Sequence, residues 1–140
     1  MLRPEIRFCS GFPDDYFEGS DDLEEVQGGR NIAEALKAAL EPLDYGVSDA
    51  INAGDHGWAL DIVRARKRFW LQISVIGSDD CYLLAEEPNA WLWPNTTKFK
   101  AFLADLKRAL DADSRFSQVR WFPSGGINRK SEPSAGPFDS

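Results

Sequence analysis

One histidine, two cysteines and one methionine are all that this 140-residue chain holds of those residue types. A single histidine and two cysteines far apart in sequence cannot supply the closely spaced ligands of a zinc site. Asp79-Asp80 and Asp111–Asp113 lack the ligand spacing of a calcium loop. There is no Gly-x-Ser-x-Gly nucleophile setting. Gly28-Gly29 precedes a helix start, but without the Lys and Ser/Thr of a phosphate-binding loop. No apolar run approaches the ~18 residues that cross a bilayer. The first residues, Met1–Glu5, lack the apolar core of a signal peptide. These absences point to a cytoplasmic protein with no catalytic set, no metal and no cofactor, and with no membrane partner. Cys9 and Cys81 read as free thiols, able to bridge only if their strands are neighbours.

Basic residues are absent from one stretch in particular. Asp14–Glu25 holds Asp14, Asp15, Glu18, Asp21, Asp22, Glu24 and Glu25 and no Lys or Arg. The net charge is −7, and without those seven acids the remaining 16 balance the 16 Lys and Arg. The whole excess therefore sits in one segment, which repels nucleic acid and attracts basic partners. Tyr16, Phe17, Leu23 and Val26 are interleaved with the acids. Aromatic side chains among acids are a composition common in binding hot spots.

What is abundant is alternation. Trp58–Ala65, Phe69–Ile76 and Cys81–Ala85 each alternate apolar and less apolar residues, separated by short turns. Trp58, Leu60 and Ile62, then Phe69, Leu71, Ile73 and Val75, then Cys81, Leu83 and Ala85 define one buried face of an antiparallel meander. Glu5–Cys9 predicts a first strand, Val47–Ile51 a short one and Phe116–Phe122 a last one, with Val119 and Trp121 on one face. Asn31 predicts a helix cap, with Glu34 completing a capping box. Ile32, Ala35, Leu36, Ala39, Leu40 and Leu43 form that helix's apolar stripe, which fades at Pro42. A second helix is capped at Thr96 or Thr97 and carries Phe99, Phe102, Leu103, Leu106 and Leu110. The order β-α-β-β-β-β-α-β predicts an α+β two-layer sandwich, with both helices on one sheet face. It occupies 1–122, with an acidic loop at 14–29. From Pro123, ten of eighteen residues are Pro, Gly or Ser, which predicts a disordered tail at 123–140.

Three further groupings bear on chemistry. Arg64, Arg66, Lys67 and Arg68 gather at a hairpin tip, where they serve as a solvated turn, a nucleic-acid contact or a landing place for the acidic segment. Asp61 and Glu86 are a conceivable carboxylate pair of unknown separation. Asp55 and His56, with Trp91 and Trp93 in a loop, could line a pocket for a small ligand or substrate.

The pieces His56-Gly57-Trp58, Arg68-Phe69-Trp70-Leu71-Gln72-Ile73 and Tyr82-Leu83-Leu84 resemble a pattern that recurs in small bacterial proteins of uncharacterised role. They are mostly core positions, so the resemblance speaks to fold. In architecture the chain is similar to immunity proteins of bacterial toxin systems, which are often small, acidic and α+β. It shares size and acidity with secretion chaperones, though those usually begin with a helix. The expectation is a non-enzymatic inhibitor or adaptor, monomeric or homodimeric, that binds a basic protein such as a toxin. Its contact residues would be Asp14, Asp15, Tyr16, Phe17, Glu18, Asp21, Asp22, Trp91 and Trp93. The alternatives are a secretion-chaperone-like protein, or a small-ligand binder or enzyme with a pocket near His56.

Overall fold

Side chains that alternate along a strand can bury one face only if something apolar covers it. In the computed structural model, which describes residues 2–88 and 96–138, that cover is two helices. The elements run β1 (Glu5–Ser10), α1 (Arg30–Leu40), β2 (Gly46–Val47), β3 (Ile51–Asn52), β4 (Trp58–Arg64), β5 (Lys67–Gly77), β6 (Asp80–Glu86), α2 (Thr96–Ala112) and β7 (Phe116–Phe122). All strands join one seven-stranded antiparallel sheet in the order β2-β4-β5-β6-β1-β7, with β3 also pairing β4. The protein is an α+β sandwich. The single strand expected over Val47–Ile51 is split in two, and both pieces lie along the same edge of β4.

The core is the predicted one. Leu60, Ile62, Phe69, Leu71, Ile73, Leu83 and the α2 residues Phe102, Leu103, Leu106 and Leu110 are almost wholly buried. The Phe69 and Phe102 rings stack with centroids 4.6 Å apart. On α1 the buried residues are Ile32, Ala33, Leu36 and Leu40, whereas Ala39 and Leu43 face solvent. The helix gives way to a 3₁₀ turn at Glu41–Leu43, which carries Leu43 away from the stripe.

In β7 strict alternation fails for a local reason. Phe116 and Trp121 are both buried, although one position is even and the other odd. The register with β1 shifts between Arg7 and Cys9, where Gln118 adopts φ 51. That bulge turns Phe116 to the same face as Trp121.

The segment after Pro123, expected to be disordered, folds back on the domain, meeting the free edge of β7 at Ser134 and the N-terminal residues at Pro137 and Phe138. Trp121 and Ser134 exchange both backbone hydrogen bonds, at 2.9 and 2.8 Å. The Arg3 amide donates to the Pro137 carbonyl at 2.9 Å, and the Gly125 amide donates to the Glu5 carboxylate. The segment's composition offers no core of its own. What it satisfies instead is the backbone of an edge strand.

No helix among the described residues is long and apolar enough to cross a membrane. Cys9 and Cys81 sit on neighbouring strands, where Phe8 faces Cys81. Both are free thiols: Cys81 is buried, Cys9 only half-buried. As the next residue after Phe8, Cys9 faces the opposite side of the sheet. Burial pushes the Cys81 thiol up to about 11.

Candidate functional site: an acidic hairpin and the cleft at its base

The acidic segment is folded. Phe17 and Val26 exchange backbone hydrogen bonds at 2.9 and 2.8 Å, and Ser20 pairs with Leu23 across the turn. The result is an irregular hairpin standing off the sheet. Two tethers hold its base. Trp58 Nε1 donates to the Gln27 carbonyl at 2.8 Å, and the Arg30 guanidinium lies over the Trp58 ring at 5.6 Å. Asp15 supplies the second tether. Its carboxylate accepts the backbone N–H groups of Gly29 and Asn31, at 2.8 and 2.9 Å.

Asp15 therefore caps α1 from outside the helix. Gly29, at the cap position with φ 119, has no side chain to do so, and Asn31 instead donates to the Pro13 carbonyl at 2.6 Å. The local capping box expected at Asn31 is thus replaced by a tertiary cap. Asp14 Oδ1 accepts the Tyr16 amide at 2.9 Å in a local turn. So Asp14 and Asp15 shape the hairpin, and its free charge is carried by Glu18, Asp21, Asp22, Glu24 and Glu25, all exposed. Among the described residues none of these five pairs with a Lys or Arg. Tyr16, Phe17 and Leu23 stand among them, 46, 40 and 63 % exposed. Partial desolvation and the Glu25 carboxylate hold the Tyr16 phenol above its ordinary range.

The structure adds Ile76, which the sequence reading passed over. It is 74 % exposed at the end of β5 and lines the same cleft as Tyr16. Its signal was present: inward positions on β5 are odd-numbered, so Ile76 is an apolar residue on the wet face. The cleft has a volume of about 470 Å³ and lies between the hairpin base, the start of α1 and the β5–β6 turn.

The basic hairpin tip lies elsewhere. Trp58 and Arg64 mark opposite ends of β4, roughly 20 Å apart at ~3.3 Å per residue. The acidic segment therefore does not land on it. Three of its four cations have their own partners: Arg64 with Asp105 at 3.1 Å, Lys67 with Glu87, and Arg68 with Asp61 at 3.8 Å. The turn itself is Ala65-Arg66.

Asp105 is a second residue the sequence reading missed. It is a buried carboxylate placed within the apolar stripe of α2. Tyr45 donates to it at 2.7 Å, and Arg64 and Arg108 pair with it at 3.1 and 2.9 Å. Burial and the Asp105 hydrogen bond push the Tyr45 phenol up to about 12.

The other candidates are not brought together. Asp55 and His56 lie on an exposed 3₁₀ turn, where the His56 carbonyl accepts the Ser74 hydroxyl at 2.8 Å. Trp91 and Trp93 lie outside the described residues. Asp61 and Glu86 both face Trp70, which separates them by two strand spacings, roughly 10 Å. No group of three or more His, Cys, Asp or Glu suited to a metal occurs among the described residues.

No family model, curated protein or solved structure matches this chain. The concentration of exposed carboxylates and aromatics sets the hairpin apart from the rest of the described surface.

Proposed function

We propose that this chain is a non-enzymatic protein-binding module, an acidic inhibitor or adaptor of the immunity type acting in the cytoplasm. The acidic hairpin is its contact surface for a basic protein. The observation that carries this reading is the pairing of opposites on one projecting element. Five exposed carboxylates, without cation partners among the described residues, surround the exposed apolar side chains of Tyr16, Phe17 and Leu23. Charges steer encounter and are screened beyond ~8 Å at physiological salt. Apolar anchors govern how slowly the complex comes apart.

The test compares wild type with a charge-neutral hairpin (Asp21→Asn, Asp22→Asn, Glu24→Gln). A basic partner retained by wild type is then measured kinetically against both proteins at low and high salt. The neutral hairpin is expected to slow association at low salt with little change in release. Tyr16→Ala with Phe17→Ala is expected to hasten release. Equal association rates at low salt for wild type and the neutral hairpin would overturn the reading.

A further inference from the structure

Arg7 and Arg120 stand directly opposite one another on β1 and β7. Their strand neighbours Ile6, Phe8 and Trp121 point into the core, so both guanidiniums project from the sheet face that the helices do not cover. Like charges paired across neighbouring strands destabilise a sheet unless an anion answers them. The chain supplies only part of that answer. Asp80 pairs with Arg7 at 3.2 Å, but neither Arg7 Nε nor Asp80 Oδ1 completes a hydrogen bond there. A hydrogen bond to the same Asp80 holds the Tyr82 phenol above its ordinary range. Tyr82 flanks Arg7 on its other side, in β6, and the guanidinium lies over the Tyr82 ring at 5.8 Å. Glu5, the next outward residue along β1, faces Phe122, and its carboxylate accepts the Gly125 amide. Arg120 is left over. Among the described residues it pairs with no carboxylate. Its Nε is buried without an acceptor, and a buried donor left unpaired carries the full cost of its desolvation.

We infer that Arg7 and Arg120 together bind a phosphoryl group, carried by free phosphate or by a small phosphate monoester. The inference is independent of the hairpin and its basic partner. Residues directly opposite on antiparallel strands have Cβ atoms roughly 5 Å apart, so one tetrahedral oxyanion can reach both guanidiniums. Each guanidinium is a planar fork that matches two phosphate oxygens. A carboxylate has two oxygens and one charge, and would satisfy one fork. A phosphate has oxygens enough for both, with charge to offset the Arg120 excess.

The test follows the arginine Nε–H signals of the labelled protein during titration with inorganic phosphate, phenyl phosphate or acetate, with sodium chloride at equal ionic strength as reference. Both phosphates are expected to shift the Arg7 and Arg120 signals saturably, and to bind about tenfold more tightly than acetate. Excess phosphate should also raise the melting temperature by several degrees over chloride. Tighter binding of phenyl phosphate would assign the site to a monoester, and tighter binding of inorganic phosphate to the free ion. Arg120→Gln removes one of two facing charges, so it should be at least as stable as wild type without phosphate and should lose the response to phosphate. Arg120→Lys keeps the charge without the fork and should bind phosphate more weakly than wild type. A phosphate response no greater than that to chloride, acetate binding as tight as phosphate, or a full response in Arg120→Gln would overturn the inference. So would an Arg120→Gln variant less stable than wild type in chloride alone, which would make Arg120 a structural residue.

Discussion

Asp15 caps a helix whose first turn lies sixteen residues further along the chain: its Oδ2 accepts the Asn31 amide at 2.9 Å. One carboxylate thus joins the hairpin base to the sandwich. Asp15→Ala should cost about 1–2 kcal/mol, the usual loss of an N-cap. It should also raise amide exchange in the hairpin, from Tyr16 to Gln27, more than in β5. Asp15→Asn should cost less, since one acceptor remains. A urea series with hydrogen exchange checks this, and an Asp15→Ala variant as stable as wild type would show that the helix is capped some other way.

Tyr45 makes stability fall at alkaline pH. Its folded value, about 12, lies above the ordinary 10.0, so the folded state holds the proton more tightly than the unfolded chain does. The contribution is complete below the unfolded value and is lost as pH rises through the window between the two. A shift of this size corresponds to roughly 2–3 kcal/mol. Tyr45→Phe loses the hydrogen bond to Asp105 and should be about 1 kcal/mol less stable at neutral pH. It should lose less than wild type on going to high pH, so that the two stability curves converge. Parallel curves would mean Tyr45 titrates normally.

The turn at Ala65-Arg66 is built from the wrong residues for its shape. Both have positive φ, 50° and 65°, in a two-residue hairpin loop that favours Asn-Gly. Ala65→Asn with Arg66→Gly should therefore stabilise the protein by roughly 1 kcal/mol. The change keeps the Ala65 carbonyl that Lys98 bonds. A lowered denaturation midpoint would show that the side chains contribute something the backbone geometry does not reveal.

Removing residues 124–140 should destabilise the domain and make it self-associate. The deletion strips both Trp121–Ser134 hydrogen bonds and the Arg3–Pro137 contact from the sheet. At about 1 kcal/mol per lost bond, the melting temperature should fall by several degrees. An open β7 edge should then pair with other copies, visible by light scattering. An unchanged melting temperature and a monodisperse sample would return the segment to the status of a loose tail.

How much of this was legible in the sequence depended on range. The faces of β4, β5 and β6 could be read because period-two alternation is local and each strand is long. The cap on α1 could not, because Asn31 is a plausible local cap and nothing near it points to Asp15. The β7 bulge left a readable trace in the parity of Phe116 and Trp121. Asp105 left almost none: an acid inside an apolar stripe looks like a stray surface residue until Tyr45, Arg64 and Arg108 are seen around it. For the site, the acids and aromatics of 14–25 were legible as a concentration. Which carboxylates are structural and which face outward was not, since that division depends on where the α1 amides lie.

The place of β1 has a consequence for how the chain comes together. The strand nearest the N-terminus is seated between β6 and β7, among the last to be synthesised. On a ribosome the β4–β6 meander can pair as it emerges, but β6 must keep one edge unfilled while β1, long since made, waits nearby. β7 has no neighbouring strand until β1 is in place. Closure of the sheet is then a late, long-range event, slow relative to the hairpins. During that interval the β6 edge is the surface on which a chaperone, or a second nascent copy, would compete with β1.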